Sequence, residues 1–213
     1  MNKFPAKERT PADFAIAAGR GNIRVIEALD GQLVTGSGEA PAVVRAGLAV
    51  SDPSRDILKI AVVNRYANVP PAPAFVRGAG LEAGAIASSV AHDCHNIVAV
   101  GVTDEDICRA VNLLIRHGGG ISLAAPGGRE DVLPLPVAGL MSDGYAEDAA
   151  AGYARLTRGA RELGSKLHAP FMTLSFLALL VIPSLKLGDR GLFDGTKFEF
   201  VPVFTGDAPA LKT

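Results

Sequence analysis

The apolar positions of the chain predict strands in its first third. Residues 22–29, "NIRVIEAL", alternate apolar and polar side chains with a period of two, which is typical of a half-buried strand. Asp30 and Gly31 follow directly and predict a hairpin whose return strand begins with "QLVTG". Residues 57–66, "ILKIAVVNRY", are almost continuously apolar and β-branched, so we expect a strand covered on both faces.

A helix between two strands is the clearest pattern further along. Residues 103–120, "TDEDICRAVNLLIRHGGG", place Thr103 as the N-terminal cap and three glycines as the stop. One apolar stripe runs along this helix, formed by Ile107, Val111, Leu114 and Ile115. The strands on either side are predicted in "NIVAVGV" (96–102) and "GISLAA" (120–125), which gives a β-α-β unit with a right-handed crossover.

The remaining segments complete the expected architecture. Residues 83–89, "AGAIASS", predict another strand, and the prolines within 70–73 predict an interruption of regular structure. Residues 146–164 predict a second helix, and "FMTLSFLAL" (171–179) predicts a buried one. One face of the second helix is expected to hold Ala149, Tyr153, Leu156, Ala160 and Leu163. The pattern favours an α/β or α+β fold with a mixed β-sheet and packed helices.

The expected domain organisation is a short β-rich N-terminal arm with a hairpin, residues 1–50, followed by the main domain, residues 51–213. Composition narrows the function classes. A net charge of −1 and the absence of Trp argue against a nucleic-acid partner, and the longest apolar run, residues 174–182, is too short to cross a membrane. No secretory signal is visible, and we expect Cys94 and Cys108 to be free thiols, so the predicted location is the cytoplasm.

The candidate chemistry lies in "SSVAHDCHNI", residues 88–97. His92, Asp93 and His95 are candidate acid–base residues, since imidazoles titrate near neutral pH and a carboxylate orients them. Polar neighbours that could bind a substrate are Ser88, Ser89, Asn96 and, at the end of the strand over 57–66, Asn64 and Arg65. The alternative is a buried polar cluster that only stabilises a turn.

Other readings of the polar residues are weaker. Cys94 as a nucleophile lacks a recognisable oxyanion hole, and a zinc site lacks paired ligand clusters because His117 and His168 are isolated. We therefore predict no metal site in this chain. Asp189 and Arg190 predict a structural ion pair in a turn.

Several long segments together resemble one known family. "GAIASSVAHDCHNIVAVGVTDEDICRAVNLLIRHGGG", "LPLPVAGLMSD" and "PFMTLSFLALLVIPSLKLGDRGLFD" are similar to the C-terminal domain of bacterial adenine deaminases, in the same order, within a match from about Asp13 to Phe204. These enzymes belong to the amidohydrolase superfamily and hydrolyse adenine to hypoxanthine and ammonia in purine metabolism. The resemblance implies that a (β/α)8 barrel holding manganese or iron performs the chemistry.

That barrel is not part of the sequence. The chain has no His-x-His pair, and its 213 residues leave no room for a barrel of about 250 residues. The resemblance therefore implies the C-terminal third of the enzyme, as a fragment, a truncated product or a subunit that meets its barrel in trans. It also implies that His92, Asp93, His95 and Asn96 face the barrel's active-site mouth and adenine, with Cys94 where the family has serine.

Two further hypotheses belong to other functional classes. The chain could be a structural or oligomerisation module, including a homo-oligomer, in which the histidine cluster contacts no ligand. It could also be a stand-alone small-molecule-binding domain without catalysis. An exposed apolar patch around residues 134–141 or 171–179 would favour a domain that packs against a partner.

Overall fold

The computed structural model describes residues 4–207. Within them, three α-helices lie at Asp104–His117 (α1), Ala146–Glu162 (α2) and Pro170–Phe176 (α3). Three short 3-10 helices lie at Pro11–Phe14, Pro53–Arg55 and Pro126–Gly128. The strands are β1 (Ile16–Ala17), β2 (Ile23–Ala28), β3 (Thr35–Ala40), β4 (Val43–Arg45), β5 (Leu48–Val50), β6 (Ile57–Val63), β7 (Ala72–Arg77), β8 (Ala85–Ser88), β9 (Ile97–Gly101), β10 (Gly120–Ala124), β11 (Glu130–Pro134), β12 (Leu185–Gly188), β13 (Gly191–Asp194) and β14 (Glu199–Phe200).

A mixed sheet of eight strands forms the centre of the fold, in the order β11-β10-β8-β9-β6-β7-β2-β3. Its neighbouring strands are antiparallel except β2 and β7, which are parallel. Two three-stranded sheets flank it, β1-β5-β4 and β12-β13-β14. The predicted mixed sheet with packed helices and a β-rich N-terminal region is confirmed.

The position of strand β6 inside the central sheet explains why its sequence is almost entirely apolar. Every residue from Ile57 to Val63 is buried, and alternate side chains enter two different hydrophobic clusters. Ile60 packs on the side that also receives α2, α3 and β12, whereas Ala61 packs on the side covered by α1. A strand covered on both faces favours apolar residues, and the one exception, Lys59, is paired with Asp104, so the prediction for 57–66 is confirmed in residues 57–63.

The predicted β-α-β unit is β9-α1-β10, with β8 inserted between the two parallel strands. Thr103 caps α1 by accepting a hydrogen bond from the Asp106 N–H at 3.1 Å. Gly118 ends the helix with a φ of +67°. The predicted limits of this helix are therefore confirmed.

Helix α2 buries the face that the sequence predicts, since Leu156, Ala160 and Leu163 are buried and Ala149 and Tyr153 are half-buried. Gly152 and Gly159 are buried as well. Glycine allows close approach to the sheet, because a Cβ at Gly152 would lie 2.9 Å from Leu133 Cδ1. Apolar periodicity gives no weight to glycine, which is why the pattern did not include Gly152 and Gly159 in this face.

The prediction that the prolines interrupt regular structure is wrong for residues 72–77, which form β7. Pro73 lies opposite Ala61 of β6, but β7 pairs with β2 only from Phe75 onwards. The missing N–H of Pro73 therefore removes no bond on the β2 side.

The N-terminal segment contributes directly to the central sheet. Strands β2 and β3 form the predicted hairpin, with Ala28 opposite Thr35 and a connection that contains Asp30 and Gly31. This hairpin lies at one edge of the eight-stranded sheet. The division of the chain at residue 50 stays a prediction.

Sheet register gathers several loops at one end of the central sheet. Val63, the last residue of β6, lies opposite Ile97, the first residue of β9. Ser88, at the end of β8, lies opposite Ile121 near the start of β10. The loop between β8 and β9, residues 89–96, therefore meets the segments that follow β6 and precede β10.

Candidate functional site

The loop over residues 89–96, called here the histidine loop, is anchored by Ser89 and by Ser88, the last residue of β8. Ser89 Oγ accepts the Gly120 N–H at 2.8 Å and donates to the Gly139 carbonyl at 2.6 Å. Ser88 Oγ accepts the Val90 N–H at 3.0 Å. Both serines are buried, so the structure gives their hydroxyls backbone partners, and substrate binding by Ser88 and Ser89 stays a prediction.

His92 lies on an aromatic ring supplied by α3. Its imidazole stacks on Phe176 with 4.8 Å between ring centroids and 29° between the planes. The His92 N–H donates to the Ser175 carbonyl at 3.0 Å, which ties the loop to the same helix. The side chain is half-buried and its ring centroid is 6.3 Å from that of His95. The structure therefore brings the two predicted histidines together.

His95 is held in a conformation that few residues adopt. Its φ is +49°, a left-handed value that costs about 1–2 kcal/mol for a residue with a Cβ. Its N–H donates to the Ala91 carbonyl at 2.7 Å, and its Nδ1 is buried without a hydrogen-bond partner in the described chain. Strain and an unpaired buried ring nitrogen together mark His95 as a functional candidate.

The pKa of His95 is lowered from its usual value. Burial is the main cause, and the positive charges of Arg65 and His92 act in the same direction, while Asp93 partly opposes them. The imidazole is therefore held in its neutral form at neutral pH. A neutral ring has one nitrogen that donates and one that accepts a hydrogen bond.

Arg65 lies beside the histidines with only 5% of its surface exposed. Its Nη1 donates to the Ala138 carbonyl at 2.6 Å and its Nη2 donates to the Tyr66 hydroxyl at 3.0 Å. The guanidinium also lies over the rings of Phe4 and Tyr66. Its Nε is buried and has no partner in the part of the chain described.

A turn over residues 137–141 packs directly on this arginine. Val137 and Met141 close the turn through two hydrogen bonds of 3.1 Å, in which the N–H of each residue donates to the carbonyl of the other. A Cβ at Gly139 would clash with Arg65 Nη1, so only glycine allows this approach. Hydrogen bonds and packing thus join this turn, the histidine loop and Arg65 into one cluster.

Asn96, the last residue of the histidine loop, and Asn64 are both hydrogen-bonded within the protein. Asn96 Oδ1 accepts the Arg65 N–H at 3.3 Å, and Asn64 Nδ2 donates to Asp189 Oδ2 at 2.6 Å. Both amides have protein partners, so their predicted contact with a substrate stays a prediction. Asp93 is exposed at the tip of the loop.

The predicted ion pair between Asp189 and Arg190 is wrong. Asp189 bonds to Asn64, and Arg190 lies over the Phe200 ring, 5.4 Å from its centroid. Asp189 also contributes to a raised pKa at Cys94, after the larger effect of burial. The Cys94 thiol is thus held protonated, which makes it a poor nucleophile.

Sequence reasoning missed three partners of the cluster: Phe176, Tyr66 and the turn over 137–141. The sequence pattern predicts only that Phe176 belongs to an apolar helix, and no local pattern links it to His92. The turn had a signal, because "LPLPVAGLMSD" is among the segments that carry the family resemblance.

Two kinds of feature are absent from the part of the chain that the structure describes. Among residues 4–207, no group of three or more His, Cys, Asp or Glu side chains is placed to hold a metal ion. None of the helices described there is long and apolar enough to span a bilayer. The fold and the site define an α/β domain with a polar loop at one end of a mixed sheet.

Comparison with known proteins gives the family. Residues 32–199 match the family model described as the adenine deaminase C-terminal domain, and the chain belongs to this family. It is 58% identical to an adenine deaminase of Salinibacter ruber over 206 residues, 96% of this chain and 37% of that protein. It is 56% identical to the Methanosarcina barkeri adenine deaminase over 185 residues, covering 87% and 33% of the two chains. The chain therefore spans about a third of the length of these curated relatives.

Proposed function

We propose that this chain is the C-terminal domain of an adenine deaminase and covers the active site of a metal-bearing barrel. The reaction is the hydrolysis of adenine to hypoxanthine and ammonia, in purine metabolism. The observation that carries the proposal is the pair of buried, unpartnered groups, His95 Nδ1 and Arg65 Nε, at one end of the sheet. Buried polar atoms are normally paired. Arg9, Thr157 and Ser165 hold similar unpaired atoms elsewhere in the described chain. His95 and Arg65, however, interact electrostatically with each other, so these two favour a shared partner or ligand that the chain alone does not supply.

The metal would belong to the rest of the protein. The described residues offer no group of three ligands, so they do not fit a metal ion of their own. Manganese or iron held by the barrel would activate the attacking water. The barrel would be joined to this domain in cis or meet it in trans, because the relatives are about three times as long as the chain.

The histidine loop would contact the purine. With its pKa lowered, His95 is a neutral imidazole that can donate to or accept from a ring nitrogen of adenine. His92 has a flat ring already stacked on Phe176. Asp93 is exposed at the loop tip and can accept a proton or a hydrogen bond. Closure of such a loop over the mouth would exclude water from the reacting centre.

Two exposed methionines, Met141 and Met172, are called here the apolar rim and support docking against a partner. Met141 in the turn over 137–141 is 58% exposed, and Met172 in α3 is 51% exposed. These residues fall in the two segments where the sequence predicts an apolar docking patch. Other large apolar side chains exposed among the described residues are Leu29, Leu33, Val34, Val44, Tyr66, Val69, Val137, Tyr145, Val181 and Phe198. Self-association through the same rim is the outcome that would favour a homo-oligomer instead.

The proposed location is the cytoplasm. Cys94 and Cys108 are both free thiols, which suits a reducing compartment.

An exchange experiment tests the proposal. The C-terminal third of the Salinibacter ruber relative is replaced by this chain, and hypoxanthine formation from adenine is measured with the shortened enzyme as the baseline. We expect the exchange to restore activity and His95→Ala to lower kcat/KM by about 10²-fold or more, the range of a lost acid–base group. Restored activity that is indifferent to His95→Ala would contradict a role of the loop at the substrate.

A further inference from the structure

Two lysines are almost completely buried, and they are satisfied in different ways. Lys59 forms an ion pair with Asp104 at 2.7 Å, whereas Lys186 has no carboxylate partner among the ion pairs of residues 4–207. The Lys186 ammonium instead donates to the Leu33 carbonyl at 2.7 Å and to the Phe176 carbonyl at 3.0 Å. Burial lowers the pKa of Lys186 to about 8. A buried cation without a carboxylate partner is costly in free energy. Lys186, whose ammonium is held by two carbonyl groups, is therefore an unusual feature of this core.

The two carbonyls belong to segments that are distant in sequence. Leu33 lies in the connection between β2 and β3, and Phe176 is the last residue of α3. Both residues, with Met172, line one cavity of about 100 Å³. The Lys186 ammonium thus joins β12, the hairpin connection and the end of α3 at a single point.

The end of α3 matters because of the ring that it carries. The Phe176 side chain stacks on His92, and the neighbouring Ser175 carbonyl accepts the His92 N–H. A displacement of this helix end would move both the ring and the carbonyl that hold His92. The geometry therefore links Lys186 to the histidine loop through one residue.

We propose that Lys186 is a positioning residue that fixes the end of α3 and so keeps the Phe176 ring against His92. The ammonium does this by holding the Phe176 carbonyl while it is itself held by the Leu33 carbonyl. A consequence for turnover rests on the proposed function. The orientation of His92 can be measured on this chain without substrate or barrel, so the two proposals fail separately.

The test is the NMR spectrum of the His92 ring protons in Lys186→Met. In the wild type, stacking on Phe176 displaces these signals upfield by the ring current, and Phe176→Leu gives the signal position without stacking. We expect Lys186→Met to move the His92 signals toward the Phe176→Leu position. The matched control is Lys197→Met, which removes an exposed lysine between β13 and β14 and should leave the signals in place.

The proposal is overturned when Lys186→Met is folded and keeps the full upfield displacement that Phe176→Leu loses. Lys186→Gln provides a second variant, since its amide retains two donors in the core while losing the charge and part of the reach. A displacement that is larger in Lys186→Gln than in Lys186→Met supports the positioning role, because the amide can still donate to a carbonyl. The full wild-type displacement in both variants overturns it.

Discussion

At the scale of single residues, the electrostatics of the site depend on Arg65 and His95. The lowered pKa of His95 comes first from burial and then from the Arg65 charge. We expect Arg65→Met, which keeps an apolar stem but removes the charge, to raise the pKa of His95. An NMR titration of the imidazole protons measures this directly.

The control for that titration is Arg45→Met, because Arg45 is exposed on β4 and belongs to another sheet. A His95 pKa that is the same in Arg65→Met and in the wild type would show that Arg65 does not act on the imidazole. Because the folded-state pKa of His95 is lowered, acid also destabilises the fold through this residue. Stability is lost as the pH falls from the usual histidine value through the lowered one.

Ser89 provides a prediction about stability at the base of the histidine loop. Ser89→Ala leaves the buried Gly120 N–H and Gly139 carbonyl without their hydroxyl partner. We expect a loss of about 1–3 kcal/mol in the free energy of unfolding, measured by urea denaturation.

Ser142→Ala is the matched comparison, since the Ser142 hydroxyl accepts the Gly144 N–H in an exposed turn. That variant should change stability by less than about 0.5 kcal/mol. Equal losses in the two variants would mean that Ser89 does not anchor the loop.

The individual residues of the site were only partly predictable. His92, Asp93 and His95 are adjacent in sequence, so composition alone singled them out, and Arg65 followed from its place at a strand end. Phe176 and Lys186 come from α3 and β12, which are more than 75 residues away. Their contacts arise from tertiary packing, which leaves no local pattern to detect.

At the scale of secondary-structure elements, the Lys186 ammonium joins β12 to the end of α3. The charge of this group changes within an accessible pH range. The pKa of Lys186 is about 8 in the folded state and its usual value is 10.5. Below pH 8 both folded and unfolded states carry the proton, so the cost of burying the charge is fully present. Between about pH 8 and 10.5 the unfolded state binds more protons, and stability therefore rises with pH.

We therefore expect the wild type to gain stability relative to Lys186→Met as the pH rises from 8 to 10.5. Urea denaturation of both proteins at several pH values measures this difference, and the titration of all other groups cancels. A difference that does not change across this window would mean that the Lys186 proton is not linked to folding.

The elements themselves were predicted well where local chemistry determines them. Helix α1 has a threonine cap and a glycine stop, and β6 is apolar at every position except Lys59, so both were recognised. Strand β7 was missed because its proline is tolerated only through the register with β2. The buried face of α2 follows from its apolar residues, whereas Gly152 and Gly159, which also lie on it, leave no apolar signal.

At the scale of the whole molecule, the exposed apolar rim and the short length relative to the family point to the same conclusion. We propose that the metal-bearing barrel of such an enzyme packs against the turn over 137–141 and against α3. Met141→Asp and Met172→Asp should then each weaken binding to the N-terminal part of the Salinibacter ruber relative by at least about tenfold, or 1.4 kcal/mol. Analytical ultracentrifugation of the mixture measures the dissociation constant.

The matched control is Val44→Asp, because Val44 is 50% exposed on β4. Its sheet lies near the start of β6, at the opposite end from the histidine loop. A control that weakens binding as much as the two methionine variants would place the interface elsewhere.

The most direct test of the account is adenine hydrolysis by this chain, by the N-terminal part of the relative with manganese, and by the two together. We predict activity in the mixture well above either component, and its loss when the chain carries His92→Ala and His95→Ala. Full activity of the N-terminal part alone, unchanged by adding the folded chain, would contradict the claim that this domain completes the active site.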